Sequence, residues 1–486
     1  MGGDMLGRYC RWKVRVAGLA MGFLFAGLAV APAFAQTKAE SKNMELVGYN
    51  DLQGRAAYEP TIHKQGNRWI AYIGHHGGLE LNPMTGKVEP NGTSIVDVTD
   101  VKHPVYLAHI PGDPPTPGRR ESGGAQMARV CDGSQLPHAD KSKVYLLRSR
   151  GNSSQEIWDV TDPAKPTRLT VIESGLTDTH KNWWECDTGI AYLVSGVPGW
   201  RVKRVGQVYD LSDPAKPIFI RNFGLPGQQP GGTGPIPSEL HGVISTGPKG
   251  NRVYGAFGTT RSGVLVIFNR DKLIHGPKEP TDANMEYPVI GRADLPPDVG
   301  AHTAYPLLGM DVSEFAKNDT QWKRDFLVVP GETLDDNCKA PRQMLHIFDI
   351  TTETRILGVS TWTVPEASGN FCSRGGRFGT HSVNENMTPI YYKRIVFVSH
   401  FNAGARAVDV RDPYHPKEIG YYIPATTNKT IKTCTGTGAD RVCKDVIQTN
   451  NVEVDDRGYI YVVDRVGSGM DILQLTGAAR KVANLP

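Results

Sequence analysis

Gln207-Val208-Tyr209-Asp210-Leu211-Ser212-Asp213-Pro214-Ala215-Lys216-Pro217 reads as a β-strand stopped by its own turn. Apolar and β-branched residues run up to Asp210, an Asx-type turn follows, and two prolines that cannot donate to a ladder end the strand. The same punctuation closes Ile157-Trp158-Asp159 and Ala407-Val408-Asp409, with weaker copies at Val96-Asp97, Phe268-Asn269, Phe348-Asp349 and Met470-Asp471. The seven anchors, residues 97, 159, 210, 269, 349, 409 and 471, lie 62, 51, 59, 80, 60 and 62 apart. One supersecondary unit copied at that period predicts an all-β, seven-bladed β-propeller.

The third repeat gives the pattern of a blade. Residues 179–185, 190–194, 207–211 and 218–223 read as four strands rich in β-branched and aromatic residues. In the other repeats the second strands are expected at 69–73, 144–147, 252–257, 326–329, 395–398 and 459–463. The seventh repeat stops after its third strand, while an orphan strand stands at residues 45–52. Residues 44–53 are therefore expected to complete the last blade and hide its edge, making 36–486 a single propeller domain.

Residues 1–35 read as a cleaved signal peptide. Arg8, Arg11, Lys13 and Arg15 precede a short apolar run, and Ala33-Phe34-Ala35 supplies the cleavage site, which leaves Gln36 first. No later segment is apolar enough for a membrane span, so a periplasmic or secreted location is expected. The formal charge of +4 falls to about +1 on cleavage, because four cations and Asp4 leave together. That balance argues against nucleic acid as a partner. Cys10 leaves with the leader, and six cysteines in an oxidising compartment predict disulfides. Cys434–Cys443, Cys338–Cys372 and Cys131–Cys186 are the expected pairs; a thiolate metal site is the competing reading, without a Cys-x-x-Cys to support it.

The strand-Asp-x-Thr/Ser-Asp-Pro-x-x-Pro pattern, clearest at Asp159, Asp210 and Asp409, resembles the LVIVD-repeat proteins over residues 44–475. That resemblance implies a seven-bladed propeller of a kind common among exported bacterial proteins. More distantly the chain is similar to the selenium-binding/methanethiol oxidase propellers, which implies metal-linked redox chemistry.

Histidine placement points to the same chemistry. His180 stands 12 residues before Tyr192 and His241 stands 13 before Tyr254, and His302 and His381 occupy the same entrance to a first strand. Pro60, Ala125 and Thr449 or Asn450 fill that place in the other blades. First strands line a propeller's channel, so four imidazoles are expected to converge in an arc. Neutral imidazoles suit transition metals, with Cu or Fe favoured here and Zn possible. Carotenoid-cleaving oxygenases hold ferrous iron with a similar architecture. A histidine at a strand start is more often a satisfied structural residue; four in one register are what set this chain apart.

Loops after the second strands should open on the same face. They carry Glu332 and His400 as candidate acid–base or orienting groups, and His75, His76, Arg148, Arg261 and Arg465 as candidate substrate contacts. Trp183, Trp184 and Tyr305 read as core. No nucleophile elbow, Walker loop or dinucleotide fingerprint is present. Two function classes follow: an exported metal-dependent oxidoreductase acting on a small molecule, or a non-catalytic scaffold whose face binds a protein, glycan or small molecule. The sequence leaves the oligomeric state open.

Overall fold

After Asp159, Asp210 and Asp409 the chain makes two Asx turns in succession. Asp159 accepts the Thr161 N–H at 3.0 Å and Asp162 that of Ala164 at 3.1 Å. Asp210 with Asp213 and Asp409 with Asp412 repeat the pair. The next amide returns to the base of the second strand, Val160 to the Val144 carbonyl, Leu211 to Gly189 and Val410 to Arg394, each at 2.9 Å. The repeated motif thus ties the end of the third strand to the start of the second, a structural task.

The computed structural model describes residues 38–117, 122–312 and 322–485. The leader expected at 1–35, with Cys10, lies outside the described residues. Seven four-stranded antiparallel sheets are arranged as an all-β propeller. Blade 3 runs Asn182–Trp184, Ile190–Ser195, Val205–Asp210 and Ile218–Phe223 from axis to rim. The innermost strands of blades 1, 2, 4, 5 and 7 are Ala57–Gln65, Ala128–Asp132, Leu240–Ser245, Tyr305–Met310 and Thr449–Val454. Those of blades 2 and 7 touch that of blade 1, closing the circle.

Blade 6 departs from the pattern. Its entry segment makes only the isolated bridge Val383–Val398, because the Asn384 side chain takes the Phe397 N–H that a strand carbonyl would have used. Blade 3 departs less: residues 179–181 enter extended, and only 182–184 pair as a strand. The core lies between neighbouring sheets, where Tyr192, Val194 and Val208 of blade 3 pack on Val253, Val266 and Phe268 of blade 4.

Met44–Asn50 pairs antiparallel with Met470–Leu475, so an N-terminal strand closes the last blade. Glu40–Lys42 then adds to the rim of blade 6 beside Lys417–Ile423, which makes the N-terminal segment bridge two blades. Three disulfides are formed: Cys131–Cys186 between blades 2 and 3, Cys338–Cys372 between a loop and the short helix Phe371–Arg374, and Cys434–Cys443 across a small hairpin. They fit an oxidising, exported environment. Among the described residues no helix is long and apolar enough to cross a membrane.

Candidate functional site

Backbone register delivers the four histidines to one place. The amides of His180, His302 and His381 donate to the carbonyls of Val194, Pro330 and Ser399, each at or near the end of its blade's second strand. His241 follows Leu240 at a bulge in the innermost strand of blade 4. Successive imidazoles are neighbours around the arc, with centroids 4.4 Å apart for His180–His241, 4.0 Å for His241–His302 and 4.4 Å for His302–His381.

Their protons are placed by the groups behind them. His241 Nδ1–H donates to the His302 carbonyl at 2.9 Å, and His381 Nδ1–H to the Asn450 carbonyl at 2.6 Å. His180 Nδ1–H donates to Gln126 Oε1, and His302 Nδ1 lies 2.9 Å from the Thr303 hydroxyl. A histidine that gives away Nδ1–H keeps a bare lone pair on Nε2. Two of these, on His180 and His241, face each other at 2.7 Å, and the buried His302 Nε2 has no hydrogen-bond partner. Burial pushes all four imidazoles well below the ordinary histidine range, and the Arg204 charge adds to this at His180 and His241, as Arg465 does at His381.

Glu332 completes the group. Ligand atoms of His241, His302 and Glu332 all lie within 4.8 Å of one another. His180 joins them through His241, and His381 through a 3.7 Å approach of its Nε2 to Glu332. Among the described residues this His, His, carboxylate set, flanked by two further imidazoles, is the one able to hold a metal ion. All six cysteines of the propeller are in disulfides, so thiolates take no part.

Blades without a histidine in the arc contribute the surroundings, one or two residues away from the positions that spacing had picked. Tyr58 rather than Pro60 reaches the site, because the blade 1 strand bulges between Ala57 and Pro60. Ala125 bridges to His75 through its backbone, so the neighbouring Gln126 projects instead. Gln126 also donates to His76 Nδ1 at 3.1 Å, and Asn450 Nδ2 donates to the Tyr58 carbonyl at 2.8 Å. Tyr58 and Gln126 carried no sequence signal beyond standing near the histidine register.

A cavity of about 610 Å³ opens over the imidazoles. His76, Glu332 and Arg465 line it, with Asp178, Arg204 and Glu239. Four other expected contacts are elsewhere. His75 is buried against Ser94 and His109, and Arg148 is buried in an ion pair with Glu156 at 3.0 Å. Arg261 is exposed outside the cavity lining. The His400 ring packs between Phe378 and Trp362, away from the cavity.

Below the imidazoles the channel is filled by charge. Lys181 bonds Glu59 at 3.0 Å and also Glu385, and Arg129 pairs with Glu385 as well. Glu453 accepts the backbone amides of Glu385 and Asn386 at 3.0 and 3.1 Å. Burial opposes the charge on Glu385, but Lys181 and Arg129 together hold it below the usual carboxylate range.

No protein family and no curated protein matches the sequence. Among solved structures the chain is similar to the C-terminal WD40 domain of Sif2, with a TM-score of 0.46 and 8% identity over 91% of this chain and 100% of that one. It is also similar to Sqt1 from Chaetomium thermophilum, with a TM-score of 0.46 and 10% identity over 89% and 99%. Sqt1 bound to the N-terminus of the ribosomal protein L10 gives 0.44 and 10% over 88% and 99%.

Proposed function

We propose that this chain is an exported metal-dependent oxidoreductase of the β-propeller class, its leader removed after Ala35, related in repeat pattern to the LVIVD proteins. The observation that carries the reading is the 2.7 Å contact between the Nε2 atoms of His180 and His241. With both Nδ1 protons given to oxygen acceptors, two unprotonated nitrogens meet in a buried site; the Tyr58 hydroxyl reaches only the His180 one, and a shared cation would satisfy both. The donor set supports Fe or Cu, since two imidazoles with one carboxylate is a ligand combination of non-haem ferrous centres and imidazoles also suit copper; Zn fits less specifically.

His180, His241, His302 and His381 would hold the ion, and Glu332 would ligate it or accept a proton beside it. The metal would supply the electron chemistry. The polar wall of Asp178, Arg204, Glu239 and Arg465 favours a small hydrophilic substrate, and the cavity volume suits one. Elemental analysis of protein purified without an affinity tag tests the reading. About one metal per chain, lost in both His241→Ala and His302→Ala, is the expected result. A folded, metal-free wild type would leave the scaffold role for a protein, glycan or small-molecule ligand.

A further inference from the structure

Tyr58 fills the gap at the open end of the histidine arc. Its ring centroid lies 5.2 Å from that of His180 and 6.0 Å from that of His381, the two ends of the row. The residue is buried, lines the cavity, and holds its hydroxyl 3.1 Å from His180 Nε2. Because His180 Nδ1–H is committed to Gln126, Nε2 is the acceptor and the phenol is the donor.

A cation shared by His180 and His241 takes that same lone pair. The Tyr58 O–H then loses its acceptor in a site where an unpaired hydroxyl is costly. Neighbouring polar groups are already engaged: the Gln126 amide serves His76 and His180, and the Asn450 amide serves the Tyr58 carbonyl and Asn451. With Glu332 taken up as a ligand or proton acceptor of the ion, the acceptor left for the phenol is whatever occupies an open position on it. Resting on the metal reading above, we propose that Tyr58 donates its hydroxyl hydrogen to the exogenous ligand at that position, an anion or small oxygen ligand, and thereby sets its affinity. In this role Tyr58 touches the reacting group without ligating the metal.

Azide is a suitable probe. The Cu(II)-loaded, untagged protein and its Tyr58→Phe variant are titrated with sodium azide, followed by the azide-to-copper charge-transfer band, with copper content measured in parallel. Equal copper content is expected, with the azide Kd about tenfold higher in Y58F. The antisymmetric stretch of bound azide should shift in D2O for the wild type and not for Y58F. Equal azide affinity with copper retained overturns the donor role. Loss of copper in Y58F overturns it too, by making the phenol a ligand. Should Y58F fail to fold, the wild-type isotope shift decides, and its absence sinks the proposal. A wild type that takes up no copper refutes the metal centre itself, an outcome separable from both.

Discussion

Lys181 Nζ sits 3.0 Å from Glu59 Oε2 in the channel, each one residue along the chain from a group of the histidine site, His180 and Tyr58. The site and its charged floor are therefore built by the same strands. A buried cation left with its partners is tolerable; a buried carboxylate stripped of its cation is not. Lys181→Met should destabilise the protein by about 3–5 kcal/mol. Lys181→Met with Glu59→Gln should recover part of that loss, because Glu385 keeps Arg129 while Glu59 is left with only a 3.7 Å approach of that guanidinium. Urea unfolding of the two variants and wild type measures both effects, and a double variant no more stable than the single would contradict the account.

Glu453 sets a pH dependence. Burial raises its carboxyl to about 8, with the Glu59 charge adding to the rise against the backbone amides that lower it. A carboxyl raised on folding favours the native state most when both states are protonated, below the unfolded value of roughly 4.5. That contribution falls as pH climbs and is gone above 8. The stability of wild type relative to Glu453→Gln should therefore fall with rising pH by up to ~1.4 kcal/mol per unit between about 5 and 8. Thermal unfolding at several pH values isolates it, since the buried histidines contribute equally to both proteins.

Gln126 acts on the centre through His180. Its Oε1 takes the His180 Nδ1–H while its amide holds His76, so one side chain fixes both tautomer and ring direction. On the metal reading proposed above, Gln126→Leu should lower metal affinity roughly 10–100-fold while leaving the number of ions bound at saturation unchanged. Competition against a chromophoric chelator reads the affinity. An unchanged affinity would reduce Gln126 to packing.

The propeller was legible because its anchor aspartates perform a repeated backbone task, and repeated tasks leave repeated residues. The arc of His180, His241, His302 and His381 was legible for a related reason: innermost strands present equivalent positions to one axis, so spacing before Tyr192 and Tyr254 picked the first two and the entrance to a first strand picked the others. Tyr58 and Gln126 escaped because a bulge and a backbone bridge displaced them from the positions that spacing names. The Lys181–Glu59–Glu385–Arg129 floor escaped for a different reason. Its members come from blades 1, 2, 3 and 6, and an ion pair across a ring has no signature along the chain. His400 and Arg148 show the converse, since being in a loop or strand near the axis does not fix which way a side chain points.

Ring closure separates two roles of the N-terminal segment. Met44–Asn50 supplies the outer strand of blade 7, whereas Glu40–Lys42 merely extends blade 6, where Arg374 also pairs with Glu40 at 2.8 Å. A protein beginning at Asn43 loses the short rim strand and one partly exposed ion pair, and keeps closure. Its melting temperature should fall by less than about 5 °C. A protein beginning at Asp51 loses the strand that covers Met470–Leu475 and leaves that backbone edge open beside the buried Leu473 and Leu475. Open edges pair with other chains, so this form should elute as aggregates and lack a single cooperative transition. Size-exclusion chromatography and thermal unfolding of the two truncations distinguish the outcomes, and a monomeric, cooperative protein starting at Asp51 would show that blade 7 needs no fourth strand.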